Sequence, residues 1–499
     1  MQRTRLLGAA VATACVAGLA TALSAPATAA PAADGPTAHF VVLGVPGAGT
    51  ARAEEAVVEA GGSIVQSWPQ IGVVIAASPS SQFASVVRTK PGVQGAGATQ
   101  NLAELGAGVT TGSGGLESRS LEATTDVITA AEAPTAEAAA GDPLSVNQWD
   151  MKAIKADQAN EISGGSRDVV VGVLDSGIEP THPDLAPNLD ASRSVGCTDR
   201  GVPNTSPAAW APTTSDHGTH VAGTIAAAKN GVGIVGVAPN VRLASVKVVN
   251  DDGYIYPEYA ICGFVWAAEH GISVTNNSYF IDPWYLWCHS DADQRAVATA
   301  VTRAIDYSAQ KGVVNVAALG NSNWDLSHNI LDEGSPNNGT PISRETTNEC
   351  VKLPAEVNGV VGVSSTGSHG RKSFFSNYGI SETEVAAPGG DSRQIPNTPQ
   401  ANGRVLSTVF NGGWGYKQGT SMAAPHAAGV IALLRSSNPG WSAQRTMIEL
   451  ERDADPIACP AGGVYDPDGT GNWLADCQGG ESGRGFYGAG LVDALDAVS

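Results

Sequence analysis

The sequence predicts an α/β protein with a doubly wound, mostly parallel sheet flanked by helices, preceded by a small α+β, ferredoxin-like domain. Short β-branched runs alternate with helical stretches from residue 142 to the end of the chain. Several of these runs are continuously apolar, as expected of strands buried on both faces of a parallel sheet. Between residues 37 and 98, the order is instead strand, helix, strand, strand, helix, strand.

Composition and charge limit the partners of this chain. Of its 499 residues, 42% are hydrophobic and 15% are charged, with 60 glycines, which is typical of a globular protein rich in turns. The formal net charge of -20 makes the surface repel phosphate backbones, because nucleic-acid binding depends on Lys and Arg contacts. We therefore expect no nucleic-acid partner.

The first 30 residues have the pattern of a secretory signal peptide. Arg3 and Arg5 precede an apolar run over 6–23, which ends in the small residues 25–30. A charged start, an apolar middle and an A-x-A ending are the features of an export signal. The alternative is an uncleaved anchor helix. We expect a secreted, extracellular protein that makes no membrane contact once the signal is removed.

The small unit after the signal has six predicted elements. Apolar runs and amphipathic stretches separated by glycines predict each boundary. The predicted strands and helices are, in order, 39–43, 53–60, 64–66, 71–76, 81–89 and a strand that begins at Val93.

From about residue 104 to 140 the chain consists mostly of Ala, Thr, Gly, Ser and Glu. Such a segment buries too little apolar surface to offset its ordering entropy, so we expect an exposed linker that is easily cut. A tether without a processing role is the alternative. The predicted organisation is a signal peptide at 1–30, a small domain at 31–110, a linker with a processing site at 111–141 and a large domain at 142–499.

In the large domain, four apolar runs predict buried strands, and the helical stretches between them imply right-handed crossovers. The runs cover 169–174, 241–249, 313–317 and 360–364.

Cysteine usage agrees with export. Cys15 is expected to leave with the signal peptide, and an oxidising compartment makes disulfides plausible for the other six, whose pairing the sequence does not choose. Only Cys459 and Cys477 suggest a pair, because they flank one loop rich in Gly and Asp. The six are Cys197, Cys262, Cys288, Cys350, Cys459 and Cys477.

Three predicted junctions carry residue types used in nucleophilic catalysis. Asp175 ends the first strand, His217 opens a helix rich in small residues, and Ser421 lies within 419–425. Functional residues of open parallel sheets lie where strands end and helices begin. A serine hydroxyl is inert at neutral pH unless an imidazole accepts its proton and a carboxylate orients that imidazole. The three residues therefore predict a nucleophile, a general base and an orienting acid.

The segments around these residues resemble the signatures of subtilisin-like serine proteases, the subtilase family. Residues 170–178, 217–224 and 419–426 match those signatures, and the chain order Asp, His, Ser is that of subtilisin. The similarity extends to 237–239 and 488–494. It implies a serine endopeptidase that acts on proteins or peptides through an Asp-His-Ser triad and a covalent acyl-enzyme.

The same resemblance implies further site residues. Asn321 is similar to the family's oxyanion asparagine, with the backbone N–H of Ser421 as a second donor. Phe280 and Leu319 stand where relatives have small residues, so we expect a narrowed primary pocket unless local shifts offset their bulk. The implied substrate-binding residues are Gly253, Tyr254, Ile255, Ser278, Tyr279, Phe280, Leu319 and Gly320.

No cofactor is implied for catalysis, but the resemblance implies a structural calcium ion. Asp142, Asp184 and Asn230 would supply the oxygen ligands that Ca²⁺ prefers. The alternative is three ordinary polar surface residues. His220 and His426 lack the spacing of a metal motif, and we interpret both as structural.

The small domain is similar to the propeptides of the family. The resemblance implies a self-processed zymogen in which residues 31–110 act as intramolecular chaperone and inhibitor, and we expect a monomer. Two alternatives stay open. A silent binding module on the same fold would lack one of the four site residues, all of which are present. An esterase or ligase would share the acyl-enzyme, so only peptide and ester substrates compared side by side separate it.

Overall fold

The computed structural model describes residues 37–100, 122–129, 131–132 and 141–499. The predicted signal peptide and most of the predicted linker lie outside these ranges. Within them, no helix combines the length and the apolar character needed to cross a membrane.

The small domain has the predicted ferredoxin-like order. Its four strands form an antiparallel sheet in the order β2-β3-β1-β4. Phe40 and Val42 of the first strand pack on the two helices, whereas Val41 and Leu43 face the large domain, as the two-residue period of a strand requires. The elements are β1 (Ala38–Gly44), α1 (Ala51–Glu59), β2 (Ser63–Trp68), β3 (Val73–Ser78), α2 (Phe83–Val87) and β4 (Val93–Ala98).

The strands that follow belong mainly to the large domain. They are β5 (Thr125–Ile128), β6 (Val170–Asp175), β7 (Val195–Gly196), β8 (Arg242–Lys247), β9 (Val274–Asn277), β10 (Trp287–Cys288), β11 (Val314–Ala318), β12 (Leu331–Asp332), β13 (Arg344–Glu345), β14 (Cys350–Val351), β15 (Val360–Thr366), β16 (Val385–Pro388), β17 (Val405–Val409), β18 (Gly413–Lys417), β19 (Val464–Tyr465) and β20 (Ala475–Asp476). The helices are α3 (Trp149–Ala153), α4 (Ala156–Ile162), α5 (Pro207–Trp210), α6 (His217–Ala226), α7 (Pro257–Glu269), α8 (Ala292–Gln310), α9 (Thr420–Ser437), α10 (Ala443–Asp453) and α11 (Arg484–Tyr487).

Seven of these strands form one sheet in the order β16-β15-β11-β9-β6-β8-β7, and every neighbouring pair is parallel. Helices cover both faces. Val170 and Leu174 of β6 join the core with α7 and α8, whereas Val171 and Val173 join the core with α6 and α9. The doubly wound α/β prediction is therefore confirmed.

One part of the predicted linker forms regular structure. β5 pairs antiparallel with β18, which also pairs with β17, so the three make a small separate sheet. Ile128 packs against the cluster that contains Trp414 and Tyr416. The polar composition of this segment predicted an exposed tether, but an apolar partner strand elsewhere in the chain supplies the surface that the segment lacks.

The small domain is docked on α7 and α8. Arg303 of α8 donates hydrogen bonds to the carbonyl oxygens of Gly44, Ile71 and Gly72 at 3.1, 3.3 and 3.3 Å. Gly97 lies so close to α8 that an added Cβ would stand 2.2 Å from the Asp293 carbonyl oxygen. Main-chain contact at this distance is open only to glycine, so the docking depends on this residue.

Three disulfides form among the described residues. Cys197–Cys262 ties the segment after β7 to α7, and Cys288–Cys350 joins β10 to β14. Cys459–Cys477 closes the loop for which the sequence suggests a pair.

Candidate active site

Asp175 and His217 form a hydrogen-bonded pair at the carboxyl edge of the large sheet. Asp175 is the last residue of β6 and His217 the first of α6. The Nδ1 atom of His217 lies 2.9 Å from Oδ1 and 3.0 Å from Oδ2 of Asp175, and both side chains are buried. The carboxylate therefore holds the imidazole proton on Nδ1 and leaves Nε2 as the nitrogen that faces the cleft.

Ser421 is the second residue of α9, a helix that begins at the same edge of the sheet. Its backbone N–H is one of the four that a helix start leaves without an intrahelical acceptor, and the helix dipole favours negative charge there. The Ser421 hydroxyl donates to the carbonyl oxygen of Ser278 at 3.2 Å. Among the described residues, no hydrogen bond joins this hydroxyl to His217.

Asn321 is held with its amide nitrogen toward the cleft. Its Oδ1 atom accepts hydrogen bonds from the backbone N–H and the hydroxyl of Thr420, at 2.8 and 2.9 Å. Since both contacts occupy the oxygen, the Nδ2 donor points the other way, into a space that Nε2 of His217 also faces. Thr420 therefore positions Asn321. It lies within the sequence motif around Ser421, but the motif alone does not reveal this role.

The carboxylate of Glu122 occupies that space. Its Oε1 atom accepts a hydrogen bond from Nδ2 of Asn321 at 2.8 Å, and its Oε2 atom lies 3.2 Å from Nε2 of His217. The side chain is 5% exposed. One carboxylate thus contacts both the predicted general base and the predicted oxyanion donor, which shows that the two groups face a common point.

The segment that carries Glu122 is anchored on both sides of the cleft. Lys417 donates to the Glu122 carbonyl oxygen at 3.1 Å and pairs with Asp216 at 2.9 Å. The hydroxyl of Thr124 donates to the second oxygen of Asp216 at 3.0 Å. Together with the pairing of β5, these contacts fix the backbone that places Glu122.

The two carboxylates set the charge of His217. Burial opposes protonation, but the attraction of Asp175 and Glu122 outweighs burial and raises the pKa of His217 to about 10. With Glu122 in place, the imidazole is therefore charged at neutral pH and does not act as a base.

Residues 253–255 and 278–280, which we expect to bind the substrate, border this cleft. Neither segment is part of a β-strand. β9 ends at Asn277, one residue before Ser278, and Gly253 lies beside His217 at the end of a turn. The Ser278 hydroxyl donates to the Ser421 carbonyl oxygen at 2.9 Å. Tyr254 and Ile255 are buried behind the turn.

A narrow pocket opens beside Ser421. Leu319, expected on its wall, is fully buried in the core, and the buried Phe280 ring packs on Tyr285 at 4.5 Å between centroids. The side chain of Lys352 lines the pocket instead, and no sequence motif pointed to it or to Glu122. The lining residues are Tyr279, Ala318, Gly320, Lys352, Thr420 and Ser421.

The residues expected to hold calcium lie together, and N–H donors face one oxygen of each carboxylate, whereas Oδ1 of Asp184 is buried without a hydrogen-bond partner among the described residues. The Oδ1 atom of Asp142 accepts from the backbone N–H groups of residues 230–232 at 3.0, 2.9 and 3.2 Å. The Oδ2 atom of Asp184 accepts from the Ile234 N–H at 3.1 Å and from Nε1 of Trp414 at 2.8 Å.

Oδ1 of Asn230 also accepts a hydrogen bond, from the Val232 N–H at 2.9 Å. Burial raises the pKa of Asp184 to about 7, so the carboxyl is partly neutral near neutral pH without any cation. The described parts of the chain hold no group of three His, Cys, Asp or Glu able to bind a metal. The calcium site at Asp142, Asp184 and Asn230 therefore stays a prediction.

The two other histidines near the motifs have structural contacts. Nε2 of His220 lies 3.1 Å from the Gly415 carbonyl oxygen. His426 bridges the Met422 carbonyl oxygen and Asp150, at 2.8 and 3.0 Å. Both rings are fully buried.

Comparison with known proteins adds three findings. The model of the Subtilase family matches residues 166–461. Fervidolysin of Fervidobacterium pennivorans is 31% identical over 323 residues, which are 60% of this chain and 39% of that protein. Subtilisin DY of Bacillus licheniformis is 32% identical over 301 residues, which are 60% of this chain and 89% of that protein.

The fold also matches a solved structure along most of the chain. The epidermin leader peptide processing serine protease of Staphylococcus aureus superposes with a TM-score of 0.63 at 19% identity, covering 93% of this chain and 98% of the other. At that identity the likeness concerns the fold.

Proposed function

The chain belongs to the subtilase family, and from that premise we propose that it is a secreted serine endopeptidase, made as a self-processed zymogen, with Asp175, His217 and Ser421 as its catalytic residues. The observation that carries the proposal is the buried Asp175–His217 pair, which faces the same point as the amide of Asn321. Asn321 in turn is hydrogen-bonded to Thr420, the residue before Ser421. An acid, a base, a nucleophile and an oxyanion donor around one cleft are the requirements of acyl transfer.

In the processed enzyme, Glu122 has left the cleft and Nε2 of His217 is free to accept the proton of the Ser421 hydroxyl. The serine oxygen then attacks the substrate carbonyl carbon, and the oxyanion accepts hydrogen bonds from Nδ2 of Asn321 and the N–H of Ser421. His217 gives its proton to the leaving amine, and an acyl-enzyme forms. A water molecule, deprotonated by His217, hydrolyses that ester and restores Ser421.

The zymogen part of the proposal rests on Glu122. Its carboxylate takes the place of the oxyanion at Asn321 and keeps His217 charged, so the precursor lacks both a free base and a free donor. Cleavage within 111–141 would free the segment to withdraw. The docked small domain supports the inhibitor role of residues 31–110, because it packs on α8 through Arg303 and through an apolar sheet face.

Export is supported by two independent features. The first 30 residues have the pattern of a signal peptide, and three disulfides pair six cysteines, a condition met in oxidising compartments.

The test is Ser421→Ala in the full-length precursor. We expect a folded, unprocessed chain without peptidase activity, while the control Ser437→Ala, at the exposed end of the same helix, processes normally. In the processed wild type, a phosphonofluoridate should label Ser421. Normal processing of Ser421→Ala, or a label at another residue, would refute the proposal. Turnover of ester but not peptide substrates would favour the esterase alternative.

A further inference from the structure

The segment 122–129 lies against the large domain as an extended peptide does. β18 runs toward the nucleophile, since it ends at Lys417 and α9 begins at Thr420. β5 pairs antiparallel with β18, so the chain runs away from the catalytic residues as it continues from Glu122. A substrate that lay in the same direction would place along β18 the residues that follow its scissile bond. We call the side of β18 that pairs with β5 the β18 edge.

An ion pair near the catalytic end of the β18 edge contacts both the backbone and a side chain of the segment. Lys417 is buried and lies 2.9 Å from Asp216. Its ammonium donates to the Glu122 carbonyl oxygen at 3.1 Å, a contact that any residue can offer. The Thr124 hydroxyl donates to Oδ2 of Asp216 at 3.0 Å, and this contact requires a side chain with a donor. The pair therefore binds a backbone carbonyl and recognises a hydroxyl.

The other end of the β18 edge is apolar. Ile128 lies opposite Trp414 in the strand pairing and packs on the cluster that also contains Tyr416. Both aromatic side chains are 1% exposed with the segment in place. Withdrawal of the segment would uncover part of this cluster and leave one edge of β18 without its partner strand. Such an edge favours another extended chain, which supplies main-chain hydrogen bonds and buries apolar surface.

The catalytic end of the β18 edge has room for a bound chain. A cavity of about 290 Å³ is lined by residues 122–124 and by Asp216, His217 and Lys417. The segment therefore does not fill this part of the cleft, even though its backbone is anchored there.

We propose that the β18 edge and the Asp216–Lys417 pair bind the part of a substrate that follows the scissile bond and select its sequence. The favoured substrate is an extended peptide with a serine or threonine facing Asp216 and, four residues later, an apolar side chain over Trp414. A valine facing Asp216 would offer no donor, and a polar side chain over Trp414 would be buried without a partner. This inference rests on the proposed endopeptidase activity and names the substrate sequence that it favours.

The first experiment uses a fluorescently labelled peptide of residues 122–129 as the probe and measures its Kd for the processed enzyme by fluorescence anisotropy. The peptide variants Thr124→Val and Ile128→Asn should each bind about 10-fold more weakly, because each loses one of the two selective contacts. The matched control is the peptide variant Val127→Asn, since this side chain is 52% exposed in the bound segment. Equal affinities for all four peptides, or no binding of the unchanged peptide, would overturn the proposal.

The second experiment measures kcat and KM on substrates that share the residues before the scissile bond. One continues with residues 122–123 only, and the other with residues 122–129. We expect about 10-fold higher kcat/KM for the longer substrate, through a lower KM, because only this substrate reaches Trp414. The longer substrate with both Thr124→Val and Ile128→Asn should lose this gain.

The two experiments separate this proposal from the proposed function. Equal kcat/KM for the short and the long substrate would show that the β18 edge does not bind substrate. Sequence-dependent binding of the peptide without hydrolysis of any substrate would instead refute the endopeptidase activity and leave the β18 edge as a peptide-binding site. Because every change is made in a peptide, no outcome depends on the folding of an enzyme variant.

Discussion

The Oε2 atom of Glu122 lies 3.2 Å from Nε2 of His217, the nitrogen that a general base must present to its nucleophile. The other oxygen of the same carboxylate accepts the Asn321 amide at 2.8 Å. A single side chain therefore blocks proton transfer and oxyanion binding together. Under the proposed zymogen role, this contact would keep the precursor inactive.

Removing that charge should activate the precursor. Glu122→Gln keeps the shape of the side chain but loses its attraction to His217, and Glu122→Ala also empties the space at Asn321. Because a buried pair is broken, we expect self-processing to speed up by about 10- to 100-fold. The loss of full-length chain on a gel over time measures it. Glu132→Gln, an exposed change in the same segment, should process at the wild-type rate; equal rates for all variants would contradict this account.

Self-processing should accelerate as pH rises. Burial opposes protonation of His217, but Asp175 and Glu122 raise its pKa from 6.5 to about 10. Protonation therefore stabilises the closed precursor fully below pH 6.5, and this stabilisation is lost as pH rises toward 10. The pH midpoint of processing should lie above that of peptide hydrolysis by the mature enzyme, which lacks the Glu122 contact. Glu122→Gln should lower the pH midpoint of processing. If wild-type processing, Glu122→Gln processing and peptide hydrolysis by the mature enzyme all had the same midpoint, the Glu122–His217 contact would not control the charge of His217.

The charged and titratable groups near His217 other than Asp175 and Glu122 should not change the pH range over which self-processing accelerates. Asp216 is paired with Lys417 at 2.9 Å. Burial, followed by the repulsion of Lys417, lowers the pKa of His220 well below its ordinary value, so that ring stays neutral over the same range.

Asn321→Ala should lower the kcat of the mature enzyme by about 100- to 1000-fold with little change in KM. This range is the loss measured when one oxyanion donor is removed from a subtilisin. Thr420→Val, which removes the hydroxyl that holds Oδ1 of Asn321, should give a smaller loss of kcat in the same direction. Thr420→Ser keeps the hydroxyl and serves as the matched control. A change confined to KM would show that Asn321 binds the ground state instead.

Arg303→Met should weaken the hold of the small domain. The guanidinium donates to three carbonyl oxygens of that domain and to Oε1 of Gln94 at 2.7 Å. Loss of charge-assisted hydrogen bonds typically costs about 1.5 to 3 kcal/mol, so the cleaved domain should separate at lower urea concentration. Size-exclusion chromatography after processing measures the separation. The control is Lys311→Met, because the Lys311 ammonium lies over the Tyr307 ring, beyond the end of α8. This variant should release the small domain as the wild type does. If both variants released it at the same urea concentration, the Arg303 contacts would not be what keeps the small domain bound.

Local patterns were sufficient for much of the architecture. The apolar run before Asp175 predicts a strand that ends there, and β6 ends at this residue. His217 and Ser421 are predicted at helix starts, and they are the first residue of α6 and the second of α9. These predictions depend on periodicity and on short motifs, which are properties of consecutive residues.

Other features depend on partners distant in the chain. Residues 125–128 have the composition of a tether, and they become a strand only because β18 offers its edge and its aromatic side chains. Asp184 accepts the indole N–H of Trp414, which lies 230 residues later in the chain, and no local pattern predicts this contact. Leu319 was expected on the pocket wall, but its side chain packs in the core with residues from distant parts of the chain.

Runs of consecutive residues determined the main strands and helices, so the sequence by itself predicted them, together with the export pattern and the candidate nucleophile, base and acid. Only the tertiary structure decided that Glu122 covers His217 and that Lys352 lies under the pocket beside Ser421. The reason is physical: a charge acts on whatever lies within a few ångströms of it, and chain folding alone sets those neighbours.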